Sequence, residues 1–177
     1  MRGYSLTSSD LVKATSGQWD GFALDNAGAG ALSAAVVGRS LWEMISGAAT
    51  CRFLEKTFYD CRSTQTAIGL LYRCDSPAVE RLFLMRVTPL PAGGVEVQHS
   101  LIRSRPLRLV SLCDVAHLRY RRCSQCLACN FGGPWVEPGR FGLPHGAVAE
   151  DAVCPVCQAA AFVADSPAQG MRPQLCG

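Results

Sequence analysis

The sequence predicts an α+β fold: an antiparallel sheet with flanking helices, followed by a small C-terminal module stapled through cysteines. Three observations carry this reading. Residues 51–63 place Cys51, Leu54, Phe58 and Cys61 on one helical face. Residues 66–102 switch to strand-like runs separated by short turns, which makes an antiparallel meander and no βαβ repeat. From Cys123 onward the composition shifts to Cys, Gly and Pro, with two Cys-x2-Cys pairs.

The elements follow in chain order. Residues 1–18 are polar and read as an N-terminal lead-in or a short helix. The segment 19–26 ends in turn formers and reads as a short strand near 22–25. Residues 27–35 are rich in Ala and Gly, and 40–46 fits a short helix with Leu41, Trp42 and Ile45 inward. Thr50 is the expected N-cap of the helix at 51–63, with Arg52, Glu55, Lys56 and Asp60 off the apolar stripe. A β-branched run over 66–75 stops at Asp75-Ser76-Pro77, and a second over 79–90 stops at Pro89, Pro91 and Gly93-Gly94. In 95–102, Val95, Val97, His99 and Leu101 alternate with Glu96, Gln98, Ser100 and Ile102. The resulting division is a lead-in at 1–18, a sheet domain at 19–105, a basic linker at 106–122, a cysteine module at 123–165 and a tail at 166–177.

With 177 residues, 49% of them hydrophobic and 18% charged, the chain buries a core and is not of the disordered class. Its longest stretch without Asp, Glu, Lys or Arg is the 14 residues 123–136, which contain Asn130 and two glycines, so no membrane-spanning helix is expected. The first 15 residues carry Asp10 and Lys13 and no continuous apolar run; no signal peptide is expected, and the location read from the sequence is cytoplasmic. The net charge of +3 is uneven, because six arginines between Arg103 and Arg122 face a single Asp114. Such a stretch suits nucleic acid, but Tyr120 is its only aromatic residue, which favours a solvated linker.

The grouped cysteines are the strongest chemical signal. Cys123, Cys126, Cys154 and Cys157 supply four thiolates, the donor set of a closed tetrahedral zinc site. A closed site leaves no position for water or substrate, so the metal is structural and implies no hydrolysis. The 27-residue spacer between pairs is an inserted loop holding Trp135, Phe141 and His145, with Trp135 expected to pack over the site. Cys129 and His145 are alternative vertices, and Cys176 is one only if the tail folds back. Cys51, Cys61, Cys74 and Cys113 stand singly among apolar residues and read as small buried hydrophobes. A module this short needs a staple, and its core is expected to be separate from that of the sheet domain, so metal loss would unfold 123–157 alone.

The strings Phe22-Ala23-Leu24-Asp25-Asn26, Val36-Val37-Gly38-Arg39-Ser40-Leu41-Trp42, Tyr72-Arg73-Cys74-Asp75, Arg81-Leu82-Phe83-Leu84-Met85 and Thr88-Pro89-Leu90 resemble a bacterial PAS-type sensory domain over residues 19–102. In the group concerned, a cysteine-rich tail with two Cys-x2-Cys pairs follows, the second containing Pro, as in Cys154-Pro155-Val156-Cys157. The resemblance implies a five-stranded antiparallel sheet that holds a ligand or partner surface. Any small-molecule ligand, of unknown identity, would lie between helix 51–63 and the sheet, near Trp42, Phe58, Leu70, Tyr72, Phe83 and Met85. Thr50-Cys51-Arg52-Phe53-Leu54 imitates the flavin-adduct motif of light-oxygen-voltage domains, but Leu41 stands at the adduct position after Gly38-Arg39. Helix 51–63 has no His for haem, and His99 reads as a satisfied core or rim histidine. Arg73 and Asp75 leave one strand face together and read as a structural pair. With no P-loop, Gly-x-Ser-x-Gly or Gly-x-Gly-x-x-Gly, the chain reads as a non-enzymatic sensory or protein-interaction module, with an unknown protein partner and a homodimer through the PAS-like domain. The alternatives are a nucleic-acid-binding transcriptional regulator, or a thiol redox switch at Cys126/Cys129 or Cys154/Cys157.

Overall fold

A computed structural model describes residues 2–26, 28–76, 78–106, 119–137 and 148–163. The chain opens with two strands, β1 (Arg2–Leu6) and β2 (Val12–Gly17), paired antiparallel with an irregularity between Ser5 and Leu6. In the turn between them, Thr7 Oγ1 accepts from the backbone N–H of Ser9 and Leu11. This corrects the reading of 1–18 as a lead-in. The hairpin escapes a periodicity search because only Tyr4, Leu6 and Val12 of its apolar residues are buried, while Lys13, Ala14, Ser16 and Gly17 on the outer strand are exposed.

The expected strand at 22–25 is also corrected, because those residues belong to helix α1 (Trp19–Asp25). Side chains fix the helix rather than periodicity: Trp19 Nε1 donates to the Ala31 carbonyl at 2.6 Å, and Asp20 Oδ1 accepts from the Ser33 backbone and hydroxyl at 2.7 and 2.6 Å. A short apolar run fits either state until such contacts decide. A 3-10 turn (Ala29–Ala31), helix α2 (Ser33–Val36) and a second 3-10 turn (Leu41–Glu43) follow.

Helix α3 (Ala48–Thr64) buries Leu54, Thr57, Phe58 and Cys61, as the stripe predicts, and ends at Gln65 in the left-handed region (φ 52°). Its N-cap position is Gly47 and not Thr50, and Cys51 is only half-buried, with Sγ 3.7 Å from the Ile45 carbonyl. The meander then runs through β3 (Ile68–Arg73), β4 (Val79–Pro89) and β5 (Val95–Pro106). Strand β5 continues past 102 because Arg103 and Arg105 both reach Glu80 on β4, at 3.1 and 2.8 Å. Strand β1 then pairs with β5, so the first strand of the chain lies inside the sheet.

The remaining elements are β6 (Arg119–Cys123), β7 (Cys129–Asn130), β8 (Trp135–Val136), β9 (Val148–Ala152), α4 (Pro155–Ala159) and β10 (Phe162–Val163). The end of the expected basic linker is thus a strand, and 107–118 lie outside the described residues, as do Phe141, His145, Cys113, Cys176 and the tail at 166–177. The main sheet is antiparallel, in the order β2-β1-β5-β4-β3-β10. The second sheet has the order β8-β7-β6-β9, with β6 and β9 parallel. Among the described residues no helix is long and apolar enough to cross a membrane.

The main core lies between α3, with the turns before it, and one face of the large sheet. Phe58, Cys61, Val87, Val95 and Val97 are fully buried there. The two clusters of buried residues share no buried member, as expected of separate cores, but they are bridged. Phe53 of α3 packs against both the main core and the cluster around Cys123, Ala128, Val153 and Cys154. The Arg73 backbone N–H donates to the Gln125 carbonyl at 2.6 Å, and β10 returns to pair with β3. A short module with little apolar surface gains burial by borrowing its neighbour's helix.

Candidate metal centre

Each cysteine pair is aimed by its own backbone. Cys123 ends β6, and the chain turns tightly after it: Leu127 N–H donates to the Cys123 carbonyl at 2.9 Å, and Cys123 N–H to the Ala128 carbonyl at 2.8 Å. Leu127 takes φ 64° to close this knuckle, which carries Cys126 round to the side of Cys123. The second pair sits on α4. Cys154 is its N-cap, Pro155 opens the helix, and Cys157 N–H points at Cys154 Sγ at 3.5 Å. The parallel β6–β9 pairing joins the two halves, and Cys154 N–H reaches Cys123 Sγ at 3.3 Å.

The result is a four-sulfur cluster. The Sγ atoms of Cys123, Cys126, Cys154 and Cys157 all lie within 4.8 Å of one another, and those of Cys126 and Cys154 are 3.7 Å apart. Zinc–thiolate bonds of about 2.3 Å at tetrahedral angles require sulfurs about 3.8 Å apart, so the donor set fits such an ion after a small contraction. Cys123 and Cys154 are fully buried, while Cys126 and Cys157 are partly exposed. Hydrogen bonds from Cys126 and Cys157 and from the Cys154 N–H hold the Cys123 thiol far below its ordinary range. The same contact with Cys123 pushes Cys126 up to about 12 and raises Cys157 as well. A thiophilic dication held by these sulfurs would favour the thiolate form of its ligands.

Cys129 is not part of the cluster: it is buried beneath the knuckle with Sγ 3.5 Å from the Leu127 carbonyl, and burial raises its pKa. Trp135 packs against the cysteine cluster, with the Arg121 guanidinium 5.4 Å over its ring.

Of the six residues named for a ligand pocket, five belong to or pack against the main core, and Phe83 joins them through Tyr72. Phe58, Leu70 and Met85 are buried in the main core, with Trp42 and Tyr72 packed against it. Trp42 meets Phe58 at 5.9 Å between ring centroids, Tyr72 stacks on buried Phe83 at 5.5 Å, and Leu70 faces Met85 across β3 and β4. A cleft of about 370 Å³ lies elsewhere, between Phe53, Lys56 and Thr57 of α3 and Val153, Gln158 and Ala161; none of the six lines it.

His99 is half-buried, and its Nδ1 lies 2.9 Å from the Tyr72 hydroxyl. Burial, then the nearby Arg2 charge, lower its pKa to about 4, so the ring is neutral near pH 7. Arg73 pairs with Asp75 as expected and also approaches Glu80 and Glu137, each at 3.4 Å. The sequence reading missed three contributors. Glu80 is buried under Arg73, Arg103 and Arg105. Arg2 stacks 3.5 Å over Phe22. Asp151 reaches across to α3. No local motif announces any of them, since their partners are distant in sequence. The chain matches no protein-family model, and no curated protein or solved structure is significantly similar to it.

Proposed function

We propose that this protein is a non-enzymatic, PAS-like sensory or protein-interaction module built around a structural zinc site. The carrying observation is the convergence of four thiols from two chain segments into one cluster with no non-sulfur donor among them. Cys123, Cys126, Cys154 and Cys157 would hold the ion, which supplies a covalent cross-link between β6 and α4 and no reactive position. An α3 helix laid against an antiparallel sheet whose first strand is inserted beside β5, the end of the meander, supports the PAS-like part of the reading. The interior aromatic set of Trp42, Phe58, Tyr72 and Phe83 is the place where a small ligand, or packing alone, would be read out. The partner is a protein, a second copy of the chain included.

The nucleic-acid reading has less support. Arg103 and Arg105 are engaged by Glu80, Arg119 lies 3.6 Å from Glu150, and Arg121 covers Trp135, so four of the arginines that would meet phosphate are already occupied. Metal analysis and an absorbance spectrum of the purified protein test the proposal together. One zinc per chain and no flavin or haem band is the expected result. A metal-free protein with four freely alkylated thiols overturns the zinc site, and catalytic turnover or a bound redox chromophore overturns the non-enzymatic module.

A further inference from the structure

The first turn of α3 is capped by a residue from the cysteine module. Asp151 Oδ2 accepts from the backbone N–H of Ala49 at 2.9 Å and of Thr50 at 3.0 Å, and Oδ1 accepts from the Thr50 hydroxyl at 2.7 Å. A helix normally satisfies these donors with its own N-cap side chain. Here the N-cap is Gly47, at φ 93°, and a Cβ added there would stand 2.3 Å from the Asp151 carboxylate. The glycine therefore vacates the space that a carboxylate some 100 residues away fills.

Asp151 is tied equally closely to the metal cluster. It lies on β9, whose next residue, Ala152, pairs with Cys123 and accepts from Ser124 N–H at 2.9 Å. Val153 and Cys154 follow directly, and both belong to the buried cluster that Phe53 of α3 packs against. The far end of α3 is locked to the sheet domain, because Arg62 donates to Asp10 Oδ1 at 2.6 Å while Trp42 Nε1 donates to Asp10 Oδ2 at 3.1 Å. A continuous set of contacts thus runs from the thiols through Asp151 and α3 to the aromatic interior.

We propose that Asp151 transmits metal occupancy at the four thiols to the first turn of α3, so that the sheet domain reads out a thiophilic divalent cation. This rests on the zinc reading above. With the ion bound, Cys154 is fixed, the end of β9 is fixed with it, and the carboxylate caps α3. With the ion gone, the cross-link between the Cys123–Cys126 knuckle and the Cys154–Cys157 pair is lost, the end of β9 loosens, the cap is released, and α3 frays from Ala48. Linkage is reciprocal: whatever factor the metal contributes to the cap, the cap returns to metal affinity.

Hydrogen exchange of the full chain, with and without Zn²⁺, measures the coupling. Cobalt substitution reports four-thiolate binding independently through its absorbance. In the wild type, exchange in residues 48–54 should slow about 5- to 30-fold on metal binding, the factor of a charged cap. Asp151→Ala, which removes both acceptor oxygens, should bind the metal with affinity lower by a similar factor, keep its near-ultraviolet circular dichroism, and respond less than about twofold at 48–54. Thr50→Val, which removes only the hydroxyl contact, should fall between the two. Four-thiolate binding with no change at 48–54 in the wild type overturns the coupling and leaves the zinc site standing. A full wild-type response in Asp151→Ala shows that the signal does not pass through this carboxylate. Absence of the cobalt–thiolate spectrum removes the zinc site and the coupling with it.

Discussion

Phe58→Ala probes the packing of α3 on the sheet most directly. The ring is fully buried and lies 5.9 Å from Trp42, in a cluster that includes Leu70, Met85 and Val97. Truncation removes the transfer free energy of the phenyl group and leaves a cavity, together typically about 3–5 kcal/mol. Trp42 is only partly buried and can tilt into part of the space, which points to the lower half, about 3–4 kcal/mol. At roughly 2–4 °C per kcal/mol for a chain of this size, the melting temperature should fall by about 6–16 °C. Urea unfolding with metal held saturating measures the change without mixing in metal loss. The neighbouring Tyr59 is 69% exposed and serves as the control, with Tyr59→Ala expected to stay within about 0.5 kcal/mol. A Phe58→Ala cost below about 1.5 kcal/mol, or a larger loss at Tyr59, would show that the helix presents a different face to the sheet.

Serine in place of Cys123, Cys126, Cys154 or Cys157 should lower zinc content, whereas Cys129→Ser and Cys51→Ser should retain one ion per chain by metal analysis; loss of metal in Cys129→Ser would make it a ligand. Glu80→Gln should cost about 2–3 kcal/mol in urea unfolding at neutral pH, because Arg73, 4% exposed at its side chain, loses one of its carboxylates but keeps Asp75 and Glu137. Burial raises the Glu80 pKa, but hydrogen bonds from Arg105 and Arg103 and the charges of Arg73 and Arg105 outweigh that and leave it below the ordinary value. Its stabilisation is therefore complete above the unfolded value near about 4.3 and is lost as pH falls through the lower folded value. The acid limb of the stability curve should flatten in Glu80→Gln, and an unchanged limb would refute the assignment. For His99, the folded pKa of about 4 lies below the ordinary value, so the fold loses stability as pH falls from about 6.5 toward 4; NMR titration should show a midpoint at about 4, and a midpoint near 6.5 would place the ring in water.

The parts of this protein that local chemistry specifies were legible in one dimension. The spacing of Leu54, Phe58 and Cys61 gives one helix face whatever the helix packs against, and turn formers after Arg73 and Pro89 delimit the strands of the meander. A Cys-x2-Cys knuckle is likewise a local device, so four sulfurs could be named before their convergence was seen. What the tertiary structure alone decided involves partners far apart along the chain. The polar hairpin at 2–17 becomes two strands because β5 offers its edge to β1, and 19–25 becomes a helix because Ala31 and Ser33 accept and donate to its side chains. Glu80 is buried because three arginines from two other strands surround it. Gly47 carries no trace of the carboxylate that fills its place, since a cap supplied from Asp151 exists only once the chain has closed that long loop.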